Sequence, residues 1–228
     1  MAKTKERLDT RERIINAALE LFLEFGFTFT TNQMIVKKAK CSTGTLANCF
    51  RTKEMLLLEF VKYIAPFQFE MIEQTSSNDT SLEFLYCLEI AEQLTMCEQN
   101  EILCDLYVSA YSLPMTIDFI KEMSYQKSMR LFGKHLPDWT HRDFYEVETL
   151  TTGLVFGSLM EKCNPRYTIE QKVRRTLDNL LKLYDYSAAE REAVLTEICK
   201  LDLEKISKDT TAKILAKVWE SVKENDSK

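Results

Sequence analysis

The sequence predicts an all-α chain: an N-terminal three-helix helix-turn-helix unit followed by a larger helical body. Three observations predict it. Gly and Pro number only 5 and 4 among 228 residues, too few for the many turns of an all-β fold. Leu, Glu, Lys and Ala are abundant, and these residues favour helices. Capping-box pairs stand at Thr30/Gln33, Thr80/Glu83, Thr168/Gln171 and Ser187/Glu190. In each, a hydroxyl can accept the N3 backbone N–H while the N3 side chain reaches back, just ahead of an apolar-periodic stretch.

The elements follow in order. Ile14, Ala18, Leu21, Phe22 and Phe25 recur at helical spacing and predict a helix from Thr10 to Phe25. Gly26 supplies a left-handed stop, and Phe27 can fold back on the helix end. Short helices are expected over Thr31–Ala39 and Thr43–Phe50, the second capped by Ser42. After Thr52 a longer helix turns Leu56, Leu57, Phe60 and Ile64 inward, and Pro66 kinks or ends it. Gln74–Thr80 is polar and reads as a loop. Helices are expected over 81–97, 101–112 and 114–132, with Pro114 at a helix start and Gly133 at its close. After the loop KHLPDWT, Thr140 caps a helix reaching Cys163, which Asn164-Pro165 stops. Further helices fill 168–186, 188–200 and 203–223. In the last, Ile214, Leu215, Val218 and Trp219 form an apolar face that should dock.

Charge is unevenly placed. The net charge is -5, yet residues 1–62 hold 11 Lys+Arg against 7 Asp+Glu, a balance of +4 that leaves -9 for the rest. A basic head on an acidic body suits a module that meets nucleic acid, joined to one that does not. The first residues, MAKTKERLDTRER, contain no apolar segment, and no run approaches the length of a membrane helix. The seven cysteines form no CxxC pair, which favours reduced thiols. A cytoplasmic protein without membrane contact is the expectation.

The informative residues lie between Arg11 and Glu54. A helix-turn-helix must hold its second helix rigidly for the major groove. Ala39 is small where two helices cross, and Phe22, Leu46 and Phe50 supply a compact core. Gly44 leaves room for a close approach to the DNA backbone. Thr31, Thr43 and Thr45 offer hydroxyls to phosphates, and Lys37, Lys38, Lys40 and Arg51 surround them. Asn48 is the candidate for base readout, because a carboxamide pairs with adenine N6/N7. Lys53 sits in the first turn of its helix, against the macrodipole, where a phosphate contact would explain it. The expected DNA-binding set is Thr31, Lys37, Thr43, Gly44, Thr45, Asn48 and Lys53.

The order IINAALELFLEFGF (Ile14–Phe27), Thr30-Thr31, Ile35, Ala39, Ser42, Gly44-Thr45-Leu46, Phe50 and Lys53-Glu54-Met55-Leu56 resembles the tetracycline-repressor (TetR) family of regulators over the first quarter of the chain. The resemblance implies a DNA-binding domain over 1–65 and an effector-binding and dimerisation domain over 66–228. It also implies a phosphate contact for Lys53. The chain departs from the family pattern at Ala47, where an aromatic residue is usual, at Asn48 and Cys49, at Lys40 in the turn, and at Val36.

In the body, aromatic and methionine side chains are dense. Tyr86, Met96, Tyr107, Tyr111, Met123 and Phe156 are the candidate ligand-binding residues, since such side chains line adaptable apolar pockets; filling the core is the alternative. Thr149, Gly153 and Gly157 form a stripe of small residues, and with Leu177 and Leu181 they are the candidate dimer interface; an intrachain helix crossing is the alternative. Cys41 and Cys49 flank the recognition helix and read as packing residues. Cys97 and Cys104 are seven apart across a helix break. His135 and His141 lie near a loop without clustered partners, so neither a metal site nor a cofactor is expected.

The expectation is therefore a homodimeric regulator, a repressor by family habit, that binds a palindrome in double-stranded DNA and is released by a small-molecule effector. The alternative is a head that binds a protein partner instead of DNA. No nucleophile–base pair or phosphate loop points to an enzyme.

Overall fold

The computed structural model describes residues 2–75 and 81–226. Among them are eleven helices and no strand. The helices are α1 Ala2–Phe29, α2 Asn32–Lys38, α3 Thr43–Cys49, α4 Lys53–Thr75, α5 Leu82–Gln99, α6 Glu101–Ser112, α7 Pro114–Phe132, α8 His141–Met160, α9 Ile169–Leu183, α10 Ala188–Cys199 and α11 Leu203–Asp226.

Helix α1 is broken where the sequence placed its stop. Gly26 adopts φ 79 and ψ 172, a conformation that L side chains rarely adopt. Thr30 follows, fully buried, and its hydroxyl donates to the carbonyls of Gly26 (2.6 Å) and Leu21 (3.1 Å). It is therefore not a helix cap. Thr31 caps α2, accepting from Met34 N at 3.2 Å, so the expected Thr30/Gln33 box is one residue out of register. Ser42 caps α3 as expected. Lys40, in the turn between α2 and α3, has φ 51, the left-handed conformation in which a non-Gly residue costs on the order of 1 kcal/mol.

Ile14, Ala18, Phe22, Ile35, Ala39, Leu46, Phe50, Leu56 and Leu57 pack inward between α1 and α4. The ring of Phe22 meets Phe27 (5.5 Å) and Phe60 edge-on (6.5 Å). Helix α4 continues past Pro66 rather than ending there and carries this core into the body. There α5 is buried along most of its length, from Leu85 to Cys97, with α4, α6, α7, α8, α9 and α11 against it.

Capping boxes form at Thr168/Gln171 and Ser187/Glu190, and a third at Thr140/Asp143. Ser81 caps α5; the expected Thr80/Glu83 pair involves Thr80, outside the described residues. Helix α8 ends at Met160, before the expected Cys163. Helix α9 ends at Leu183, because Asp185 turns left-handed (φ 57) and Tyr186 N returns to Leu181 O at 3.2 Å. Helix α11 docks through Ile214 and Val218, while Trp219 remains exposed. Among the described residues no helix is long and apolar enough to cross a membrane.

Candidate functional site: an exposed helix-turn-helix joined to a lined cavity

Helix α3 presents Thr43, Gly44 and Asn48 to solvent, with Thr31 and Lys37 exposed beside it on the α2 side. A Cβ at Gly44 would meet only Ser42 Oγ, at 3.8 Å, so the space above it is open. Thr45 is half-buried, and its hydroxyl lies 2.8 Å from Ser42 Oγ. Lys38 is tied to Glu20 at 2.6 Å. Leu46 and Phe50, on the opposite side of α3, are buried. The short helix is thus anchored by two apolar side chains and open on its other face.

Lys53 departs from the free phosphate ligand expected of it. Its ammonium donates to Phe27 O (2.6 Å) and Thr30 O (2.8 Å) and lies 4.1 Å from the centre of the Phe27 ring. Burial pushes its pKa down, and the nearby Asp105 carboxylate opposes that shift. Two carbonyls, one in the last turn of α1 and one just past it, already hold the cation, so Lys53 first of all fixes the start of α4 against the α1 break.

The head is joined to the body at the same place. Asp105, in α6, accepts from Thr28 N at 2.9 Å and from the Thr28 hydroxyl. A Cβ on Gly26 would fall 2.6 Å from Asp105 Oδ2, so the glycine permits the approach. Glu54 Oε1 accepts from Met115 N at 2.6 Å and caps α7, whose own N-cap, Leu113, makes no side-chain cap bond. None of these linking residues was foreseen beyond Gly26; the acidic pair stands on separate helices with no local spacing to connect it.

Inside the body, α4, α5, α6, α7, α8 and α11 surround a cavity with an empty volume of about 940 Å³, its mouth included. Tyr86, Tyr107, Tyr111 and Met123 line it as the sequence suggested, whereas Met96 and Phe156 do not. Met96 is fully buried in packed core, and Phe156 packs half-buried on the outer side of α8. The polar lining was not anticipated. Gln68 Oε1 accepts from Tyr107 OH at 2.6 Å, while its buried Nε2 has no partner among the described residues. Gln93 Oε1 accepts from Tyr111 OH at 3.3 Å. Glu89 pairs with Lys127. Glu148 accepts from Tyr184 OH and from Thr151 (3.1 Å), and burial pushes its carboxyl pKa up. A readable signal existed: Gln68, Glu89, Gln93 and Glu148 are polar residues at core-facing positions of otherwise apolar stripes, such as Phe60-Ile64-Gln68.

The expected dimer residues divide. Thr149, Gly153 and Gly157 are exposed, and a Cβ at either glycine would meet nothing within 4 Å. Leu177 and Leu181 are fully buried within the single chain, facing its own core, and are corrected: they have no surface to offer a partner. Tyr145, Leu150 and Met160 are exposed on the glycine side instead. His135 stacks on Tyr186 at 4.0 Å, and His141 Nδ1 lies 2.9 Å from Tyr125 OH.

A buried-core helix-turn-helix with one open helix face, set on a helical body that holds a cavity, is the architecture that the chain presents. Residues 14–60 match the family described as bacterial regulatory proteins, tetR family, so the head of the chain carries the helix-turn-helix module of that family. The chain is similar to the uncharacterized HTH-type transcriptional regulator YuxN of Bacillus subtilis, 24% identical over 199 residues, which are 87% of this chain and 51% of that protein. It is also similar to the HTH-type transcriptional regulator QacR of Staphylococcus aureus, 39% identical over 54 residues, 24% of this chain and 29% of QacR. The chain thus spans about half the length, or less, of these curated relatives. Among solved structures, RolR in complex with resorcinol shares the fold at TM-score 0.61 and 17% identity, over 84% of this chain and 95% of that one. Thermus thermophilus FadR in complex with lauroyl-CoA does so at TM-score 0.56 and 20% identity, over 76% and 92%.

Proposed function

We propose that the chain is a homodimeric repressor that binds palindromic double-stranded DNA and is released by a small apolar effector held in the body cavity. Residues 1–65 serve as the DNA-binding unit and 66–228 as the effector and dimerisation unit. One observation carries the reading: α4 starts under the recognition helix with Lys53 and Glu54, and lines the cavity further on with Phe60, Val61, Ile64 and Gln68. One rigid element therefore touches both sites. A molecule entering between α4, α6 and α7 must displace side chains on the helices that hold Thr28 and Met115. Differential fit to two such arrangements is what shifts a population between them.

On the DNA side, Thr31, Thr43, Thr45 and Lys37 would contact phosphates and Asn48 would read a base. Lys53 would act through the carbonyls it orders. The ligands of RolR and FadR occupy proteins of the same fold, which supports a small-molecule effector here. The exposed α8 stripe of Tyr145, Thr149, Leu150, Gly153, Gly157 and Met160 offers the surface for a two-fold helix pairing, which sets two recognition helices about one DNA turn apart.

The test is a footprint of the purified chain on DNA flanking its gene. Two symmetric protected half-sites about one turn apart are expected. A head that captures a protein partner instead would leave every such fragment unprotected at low salt.

A further inference from the structure

The wall of the body cavity holds a buried donor with no acceptor among the described residues, Nε2 of Gln68. Gln68 stands on the inner stripe of α4 with Phe60 and Ile64 and is 2% exposed. Its Oε1 accepts from Tyr107 OH of α6 at 2.6 Å. That bond engages the oxygen end of the amide and leaves the nitrogen end to donate elsewhere. A buried N–H without an acceptor is costly, and folded proteins rarely keep one. The charged and amide groups around it are engaged with one another. Lys127 is paired with Glu89. Glu148 accepts from the Tyr184 and Thr151 hydroxyls, and Gln93 Oε1 accepts from Tyr111 OH at 3.3 Å. Much of the remaining wall is apolar or aromatic, with Tyr86, Leu106 and Val155 facing the space.

We propose that the effector is a neutral, mostly apolar molecule bearing a hydrogen-bond acceptor, in the simplest case a carbonyl, and that Gln68 Nε2 donates to that acceptor. The inference rests on the reading of the cavity as the effector site and adds the chemistry that the site selects. Apolar and aromatic walls take an apolar body, and one buried amide N–H sets its orientation. An anion would have to draw Lys127 away from Glu89. A cation would have to turn to Glu148, whose charged form burial disfavours. A molecule with only donors to offer would find Gln68 Oε1 already engaged by Tyr107.

The place of the amide gives the contact a consequence. The Gln68–Tyr107 hydrogen bond ties α4 to α6. Helix α4 carries Lys53 and Glu54, and α6 carries Asp105, the residues that join head and body. An acceptor seated on Nε2 therefore adds a bond at the tie between the two helices that hold the head.

The experiment uses the full chain and three probes of one shape. They are acetophenone, α-methylstyrene, in which a methylene replaces the carbonyl oxygen, and α-methylbenzylamine, an ammonium ion at neutral pH. Calorimetry compares each on the wild type and on Gln68→Met. The substitution should weaken acetophenone by about tenfold, the worth of one hydrogen bond with a buried donor, and leave α-methylstyrene unchanged. In the wild type alone, the carbonyl stretch of bound, isotope-labelled acetophenone should lie below its value in hexane, as that of a hydrogen-bonded carbonyl does. A stretch at the hexane value would overturn the proposal even if the variant did not fold. So would equal losses for acetophenone and α-methylstyrene in Gln68→Met, or α-methylbenzylamine binding the wild type tightest of the three. Acetophenone that binds through Gln68 yet leaves the chain on its DNA would contradict the effector reading and uphold the acceptor contact. No binding by any of the three would overturn both.

Discussion

In the head, the polar groups sit at helix ends and on an open surface, around a core that is almost wholly apolar. In the body, Gln68, Glu89, Glu92, Gln93, Glu148 and Lys172 lie inside. Burying ionisable groups is costly unless each is paired, and most here are: Glu89 with Lys127, Glu148 with Tyr184, Lys172 with Glu98. The head leaves its polar groups on an open surface, whereas the body keeps them around a cavity. The difference teaches where each half is vulnerable. The head should respond to changes in its joints and surface, and the body to changes in protonation and filling.

The largest expected effect is in the body. Glu92 is buried and accepts from Thr210 at 3.1 Å, and burial raises its pKa from 4.5 to about 7. A folded-state pKa above the unfolded value means that stability is intact below 4.5 and is lost as pH rises through about 7. The loss should reach about 2–3 kcal/mol by mildly alkaline pH. Glu92→Gln keeps an acceptor for Thr210 and should remove that pH dependence, so urea melts at acid and alkaline pH should differ less than those of the wild type.

In the head, Lys53→Met keeps the alkyl stem but removes two hydrogen bonds from a charged donor, a loss of about 2 kcal/mol in stability. DNA affinity should fall for all sequences alike, which binding to unrelated duplexes would show. Asn48→Ala should leave the melting curve unchanged. It should cost about 1–3 kcal/mol of discrimination at one base position per half-site, measurable by competition with single-base variants. The smallest effect returns to the body: Gly153→Ala points into open space and should stabilise the monomer by up to about 1 kcal/mol through helix propensity. If the stripe is the dimer seam, sedimentation should show weaker association at the same time.

Much of the head was legible in the sequence, because local rules decide it. Gly26 is left-handed, Ser42 caps, and Ile14, Ala18, Phe22 and Phe50 are core. Lys40 stands where the resembled family commonly has Gly in the turn, and it adopts the left-handed conformation. The miss at Thr30 and Thr31 shows the limit: two adjacent threonines match a capping pattern equally well, and only the buried carbonyls of Leu21 and Gly26 decide which one turns inward. The body was legible as helices but less so as a site. Tyr86, Tyr107, Tyr111 and Met123 reach the cavity, while Met96, of the same chemical type, fills core. Periodicity tells which side of a helix is inward, not whether inward means packing or empty space. Leu177 and Leu181 failed for the same reason, since an apolar face fits its own core as well as a partner. The linking residues Asp105 and Glu54 are set by tertiary approach alone.

The central claim, that the open face of α3 reads DNA, is tested most directly by the salt dependence of binding to a duplex from the region flanking the gene. A dimer neutralising several phosphates should lose at least about a thousandfold in affinity between roughly 50 and 200 mM salt, with a linear log–log slope. An affinity that is flat across that range, or no binding at its low end, would contradict the account.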